Sequence, residues 1–268
     1  MQSISIDAAF RALDVESETG GGVLAGAIAF RVFMFMVPYV FFLMVTLGMG
    51  AAVAGSDPVK LARQMGIGGL AASGVASAAD LSGGSRLAAF LVSGFALFLG
   101  ARALSKVLWV THELIWRVRV PRVRASRSGL GLILVATVGL GVSLACGWLR
   151  QQSTLLAVIS LGVYALVPFG LWLLVSWRLP HEACPWWALL PGAVLFGIGT
   201  AVLHAVTVTF IAHLMTSKTE TYGVVGGSLA LLLWAYLFGR IITATAVVNA
   251  AYWSRYVARH SPPAGAAS

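Results

Sequence analysis

The sequence predicts an all-α, polytopic membrane protein with six transmembrane helices, and three observations lead there. Of 268 residues, 59% are hydrophobic and only 10% are charged, whereas an ordinary soluble domain carries about 25% charged and about 45–50% apolar residues. Mean hydropathy is +0.90, which excludes both a water-soluble surface and a disordered chain. The apolar residues also gather into runs of about 20 or more, the length that crosses a bilayer as a helix.

Residues 1–22 read as a cytoplasmic, interfacial N-terminal segment. Ile6, Phe10 and Leu13 share one helical face. The acids Asp7, Asp14, Glu16 and Glu18 stand where a signal peptide needs basic residues and an apolar core. Gly20-Gly21-Gly22 then interrupts the helix. A six-helix domain over 23–254 follows. Its first span, Val23–Leu47, contains Arg31 and Pro38. Residues 51–86 form an extracytoplasmic segment rich in Gly, Ala and Ser. Pro58 there opens a helix over Val59–Ala79, too weakly apolar to count as a span and able either to lie on the surface or to re-enter the membrane.

The second span is Leu87–Val110. A basic cytoplasmic loop, 111–128, carries Arg117, Arg119, Arg122, Arg124 and Arg127 around Pro121. The third span is Gly129–Leu149, and the fourth, Leu155–Trp177, holds Pro168. A short loop, Arg178–Trp187, leads to the fifth, Ala188–Leu214. A polar turn over Thr216–Tyr222 precedes the sixth, Val224–Ala251, and a cytoplasmic tail, 255–268, closes the chain. Basic loops stay in the cytoplasm, which places both termini inside. Lys60, Arg63 and Arg86 run against that trend, beside Asp57 and Asp80.

Net charge is +9, from 18 Lys+Arg against 9 Asp+Glu. In a membrane chain that excess points to anionic lipid headgroups at the basic loop. Nucleic acid is not expected, because no stacking aromatics interleave with the loop arginines. Cys146 and Cys184 form neither a metal pattern nor a redox pair. The five histidines lack metal-ligand spacing, and no nucleophile elbow, phosphate loop or carboxylate pair is present. The sequence therefore implies no enzyme, no catalytic residue, no metal and no cofactor. Oligomeric state is left open.

The sharpest local features are two arginines inside apolar runs, Arg31 and Arg240. An arginine at the bilayer centre costs about 2.5–3.5 kcal/mol and usually faces the bundle interior or a wet cavity. No acid falls within a predicted spanning core, so backbone carbonyls, water or an external anion such as a lipid phosphate would neutralise them. The plainer alternative is that Arg31 snorkels to the interface and Arg240 bonds backbone oxygens. Pro38 and Pro168 lie mid-span in the first helix of each half. Together with the alternating start of the spans, they match an inverted 3+3 repeat, in which paired helix breaks mark a substrate site. Two ordinary membrane-helix prolines is the competing reading. His204, within span five, is either a titrating group on a pathway or a satisfied polar residue. The candidate substrate-binding set is Arg31, Pro38 with its neighbour Tyr39, Pro168, His204, Arg240 and Asn249.

Several motifs carry a family resemblance. Leu190-Pro191-Gly192-Ala193 opens span five, and Tyr222-Gly223 precedes span six. Leu233-Trp234-Ala235-Tyr236 lies within span six and Asn249-Ala250 near its end. Ala29-Phe30-Arg31 and Pro38 mark the first helix. Over roughly 25–255 the chain resembles the YihY/BrkB family of bacterial inner-membrane proteins, and the arginine-rich second loop fits as well. One departure stands out: where relatives commonly carry a glutamate two residues before the Asn-Ala pair, this chain has Val247, so no role of that carboxylate transfers. The resemblance implies a six-helix plasma-membrane protein, in a family once given a ribonuclease name. Transport or translocation of an anionic or lipid-like envelope molecule is the expected function, with a non-transporting membrane scaffold or envelope-integrity protein as the alternative.

Overall fold

The computed structural model describes residues 20–55, 57–60, 69–119, 125–150, 152–207 and 212–260. The expected interfacial helix over 1–20 lies outside them. The described residues include seven helices: α1 (Gly21–Ala54), α2 (Gly69–Ala79), α3 (Gly83–Trp116), α4 (Ala125–Arg150), α5 (Thr154–Arg178), α6 (Leu190–Val206) and α7 (Ala212–His260), with a 3-10 turn at Trp186–Leu189 before α6. Among the described residues there is no strand. Among the described residues five stretches are long and apolar enough to cross a membrane: Gly21–Ala54, Gly83–Trp116, Arg127–Cys146, Trp186–Val206 and Ser228–His260. Leu166–Arg178 of α5 is a shorter apolar one. The chain is thus an all-α polytopic membrane protein.

Large apolar side chains line the outward faces at helical spacing. Examples are Phe30, Met34, Val37 and Phe41 on α1, Leu87, Leu91, Phe95 and Leu99 on α3, and Val194, Ile198 and Val202 on α6, all exposed. In water such stripes would be unstable, but against acyl chains they cost nothing. For the same reason they supply no force holding helices together, which leaves close packing and hydrogen bonds to do so.

Helix ends follow local chemistry. The Asp57 carboxylate accepts from the Val59 and Lys60 amides at 2.8 and 3.2 Å, with Pro58 between them at N1, as expected for a helix starting there. Residues 61–68 of that expected helix lie outside the described ones. Ser82 and Ser153 accept from the first-turn amides of Ser85 and Leu156. The Arg86 guanidinium donates to the carbonyls of Ala79 and Leu81, both at 2.7 Å, and so closes the C-terminal end of α2. A basic residue that runs against the charge trend thus has a local structural use. α3 ends in a Schellman motif, with Val118 N–H donating to Glu113 and Arg117 N–H to Leu114. Arg117 takes the left-handed position, at φ 53, which glycine usually fills.

One expectation is corrected. The segment Thr216–Tyr222 is not a turn, because α7 runs unbroken from Ala212 to His260. Thr216–Tyr222 contains no proline or glycine, and a polar sequence is no obstacle to a helix that has left the hydrocarbon. α6 ends at Val206 with Thr207 as its C-cap, and residues 208–211 lie outside the described ones. At 49 residues, α7 is about 73 Å long, more than twice the roughly 30 Å hydrocarbon core. It also continues through Arg255 and Arg259, which the sequence reading placed in the tail.

The chain divides into two compact units. In the unit of residues 31–106 and 122–167, α2 is seated on α1 through Gly48, where a Cβ would stand 2.9 Å from both Ala78 Cβ and the Ala79 nitrogen. α3 approaches α1 at Gly100, where a Cβ would stand 3.1 Å from the Met34 carbonyl oxygen. That carbonyl is the one deprived of its intrahelical donor by Pro38. Phe42 and Phe90 meet at 5.0 Å nearby. The unit of residues 1–30, 107–121 and 168–268 holds α6 and α7, the start of α1 and the ends of α3 and α5. There, α7 touches α1 backbone to backbone: a Cβ on Gly239 would stand 2.5 Å from the Ala25 carbonyl oxygen. We predict that Gly239→Ala lowers the unfolding midpoint in detergent by an amount equivalent to about 1–3 kcal/mol. Gly26→Ala, whose Cβ meets nothing within 4 Å, should match the wild type or exceed it.

Candidate functional site

The best-defined polar site lies in the second of these units, where α6 begins. Leu189, at the N-cap of α6, offers no side-chain acceptor, and Pro191 in the first turn has no N–H to satisfy. The Gly192 amide is left, and Asn249 of α7 accepts it through Oδ1 at 2.7 Å. Gly192 has to be glycine, since a Cβ there would lie 2.5–2.6 Å from the Asn249 amide atoms. The Leu-Pro-Gly-Ala motif and the Asn-Ala motif are therefore two halves of one joint. One turn back on α7, Thr245 Oγ1 accepts from Trp172 Nε1 of α5 at 3.0 Å. Trp172 also stacks on Phe196 of α6 at 4.3 Å. Three helices are thus tied by two buried side-chain hydrogen bonds and one ring stack.

Below this joint, Ile115, Trp116, Leu189, Ala246 and Val247 form a buried apolar cluster, with Leu173, Cys184 and Trp253 packed on it. Val247 is 3% exposed. It is part of an oily contact between α3, α7 and the turn before α6. His112 is buried one turn before Trp116, and its Nδ1–H donates to the Leu108 carbonyl at 2.9 Å. Three buried polar atoms of this unit, Trp109 Nε1, Thr111 Oγ1 and Ser176 Oγ, have no hydrogen-bond partner among the described residues.

The sequence-predicted residues are distributed as follows. Arg31, Pro38 and Tyr39 all lie on α1 in the first unit. Arg31 is half-buried. The Tyr39 hydroxyl donates to Thr137 Oγ1 of α4 at 3.3 Å, and its ring stacks on Phe35 at 5.5 Å. In the second unit Arg240 is half-buried and His204 is exposed in the last turn of α6. Pro168, like Pro38, sits inside a helix that continues past it. Asn249 is buried on α7, about two and a half turns from Arg240 and so on the opposite side of that helix. Asn249 meets Gly192 rather than Arg240.

An aromatic group that the hydropathy of the sequence does not reveal closes α7. Trp187 stands edge-on to Tyr252, Trp253 and Tyr256, at 6.4, 6.1 and 4.9 Å. Trp253 stacks on Tyr256, and Tyr256 on His260. The spacing 252, 253, 256, 260 marks one helical face, and it was obscured by ending the span at Ala251. Among the described residues no three of His, Cys, Asp and Glu come together in a way that could hold a metal ion.

Membrane-length apolar helices, joined by buried side-chain hydrogen bonds, define an integral membrane protein of several spans. Residues 13–268 match the family described as virulence factor BrkB, and the chain belongs to that family. No curated protein and no solved structure matches it.

Two measurements check this site. Asn249→Ala leaves the Gly192 amide without its acceptor and should destabilise the protein by about 1–3 kcal/mol, read as a lower unfolding midpoint. Val248→Ala, at the half-buried neighbour, should cost less. Cys184 lies outside the spanning helices, and burial, then the nearby Glu182 carboxylate, push its thiol above the usual pKa. A raised pKa means less thiolate at a given pH, so maleimide modification of Cys184 should lag a free cysteine at pH 7.5. It should speed up as pH rises and be faster in Glu182→Gln.

Proposed function

We propose that this protein moves an anionic or lipid-like envelope molecule across the inner membrane, with both termini in the cytoplasm. The observation that carries this reading is the placement of Arg31 and Arg240. Both are half-buried, on helices of membrane-crossing length and apolarity. A guanidinium stays charged at every accessible pH, and its planar fork suits phosphate or carboxylate oxygens. The family and the apolar helices support a membrane setting. With no nucleotide-binding motif in the sequence, passive or scrambling movement needs the fewest additional parts.

The test is flux of a fluorescent anionic phospholipid in proteoliposomes holding wild type, Arg31→Ala or Arg240→Ala. The expected outcome is a loss of at least about ten-fold in one or both variants, the size of a lost charge-assisted contact. Equal flux in all three would remove both arginines from the mechanism and favour the non-transporting scaffold.

A further inference from the structure

Four segments of the second unit meet at one end: the close of α3, the α5–α6 connection, the 3-10 turn and the last turns of α7. Val118, Cys184 and Trp253 all pack on the same apolar cluster, and Trp116 meets His181 edge-on at 6.0 Å. Arg117, Arg119, Arg178 and Arg259 are exposed at this end, with Arg255 half-buried and only Glu113 and Glu182 as described acids in these segments. The aromatic group of Trp187, Tyr252 and Tyr256 lies among them.

We propose that this end of the unit is a binding surface for anionic phospholipid headgroups, with Arg117, Arg178 and Arg259 on the phosphates and Trp187, Tyr252 and Tyr256 at the glycerol and carbonyl level. Charge complementarity selects the occupant, because an excess of guanidinium beside amphipathic rings fits the anionic lipid interface. The rings are already packed against one another, so little side-chain freedom is lost on binding. Arg117 adds an independent observation. Its backbone adopts the left-handed conformation at φ 53, which a β-carbon disfavours and glycine would adopt without strain. A cation kept at a strained position is what a binding role would demand. The surface needs no transport step and does not depend on Arg31 or Arg240.

Native mass spectrometry of the full-length protein, incubated with phosphatidylglycerol or phosphatidylcholine, tests this. Wild type should retain phosphatidylglycerol in clear preference. Arg178→Gln with Arg259→Gln should reduce that retention by about ten- to thirty-fold, the electrostatic worth of two interfacial basic residues. Arg178→Lys with Arg259→Lys should keep most of it. Arg117→Gly should weaken phosphatidylglycerol retention while the unfolding midpoint holds or rises, a combination that a merely structural arginine would not produce. Equal retention of the two lipids overturns the proposal. So does undiminished retention in the glutamine pair, or an equal loss in the lysine and glutamine pairs. The flux of the Arg31 and Arg240 variants bears only on transport, so either reading can fail without the other.

Discussion

Inside a bilayer a backbone N–H without an acceptor costs several kcal/mol, because no water is at hand to replace the missing partner. The first turn of α6 faces that cost directly. Its N-cap is a leucine, and the turn belongs to a stretch, Trp186–Val206, apolar enough to cross a membrane. The protein removes one donor by placing Pro191 there and satisfies the next with a side chain from another helix, Asn249. This capping bond fixes the height of α7 against α6. Once that height is set, Thr245 is level with Trp172 and Trp172 is level with Phe196. The apolar cluster below, from Trp116 to Val247, packs in the register that results.

The same constraint explains why glycine appears where it does. Gly192 makes room for the Asn249 amide, Gly239 lets α7 lie on the backbone of α1, and Gly48 does the same for α2. Where acyl chains are as apolar as leucine, only close approach and hydrogen bonds distinguish one helix neighbour from another. By contrast, Gly26 and Gly141 meet nothing within contact range of a Cβ, so abundance of glycine alone does not identify the contacts.

Much of the fold was legible in the sequence, because hydropathy and length are local properties. The helices overlap the expected spans, although the fifth, expected to run to Leu214, ends at Val206 and α7 already opens at Ala212, and Pro58 stands where a helix begins, capped by Asp57. The junction after α6 was not legible. Thr216–Tyr222 has the composition of a turn, yet a helix that has left the hydrocarbon tolerates polar residues as readily as apolar ones. Of the site, the Asn249 and Leu190–Ala193 motifs were visible as a resemblance, but not that they touch, since 57 residues separate Gly192 from Asn249. Arg117 gave no signal at all, because a left-handed backbone at a non-glycine residue is set by the Schellman contacts around it.

Pro38 breaks the hydrogen-bond ladder of α1, and the carbonyl it strands, at Met34, lies beneath the backbone of Gly100. A stranded carbonyl is ordinarily where a helix admits water and bends. Here the Gly100 backbone of α3 closes over it, so the hydrogen that stands in place of a Cβ faces the oxygen, and Cα–H groups act as weak donors in such contacts. The break thereby becomes a keyway. α3 can occupy it at one register only, and sliding by a single residue would bring a side chain against the carbonyl and jam the joint.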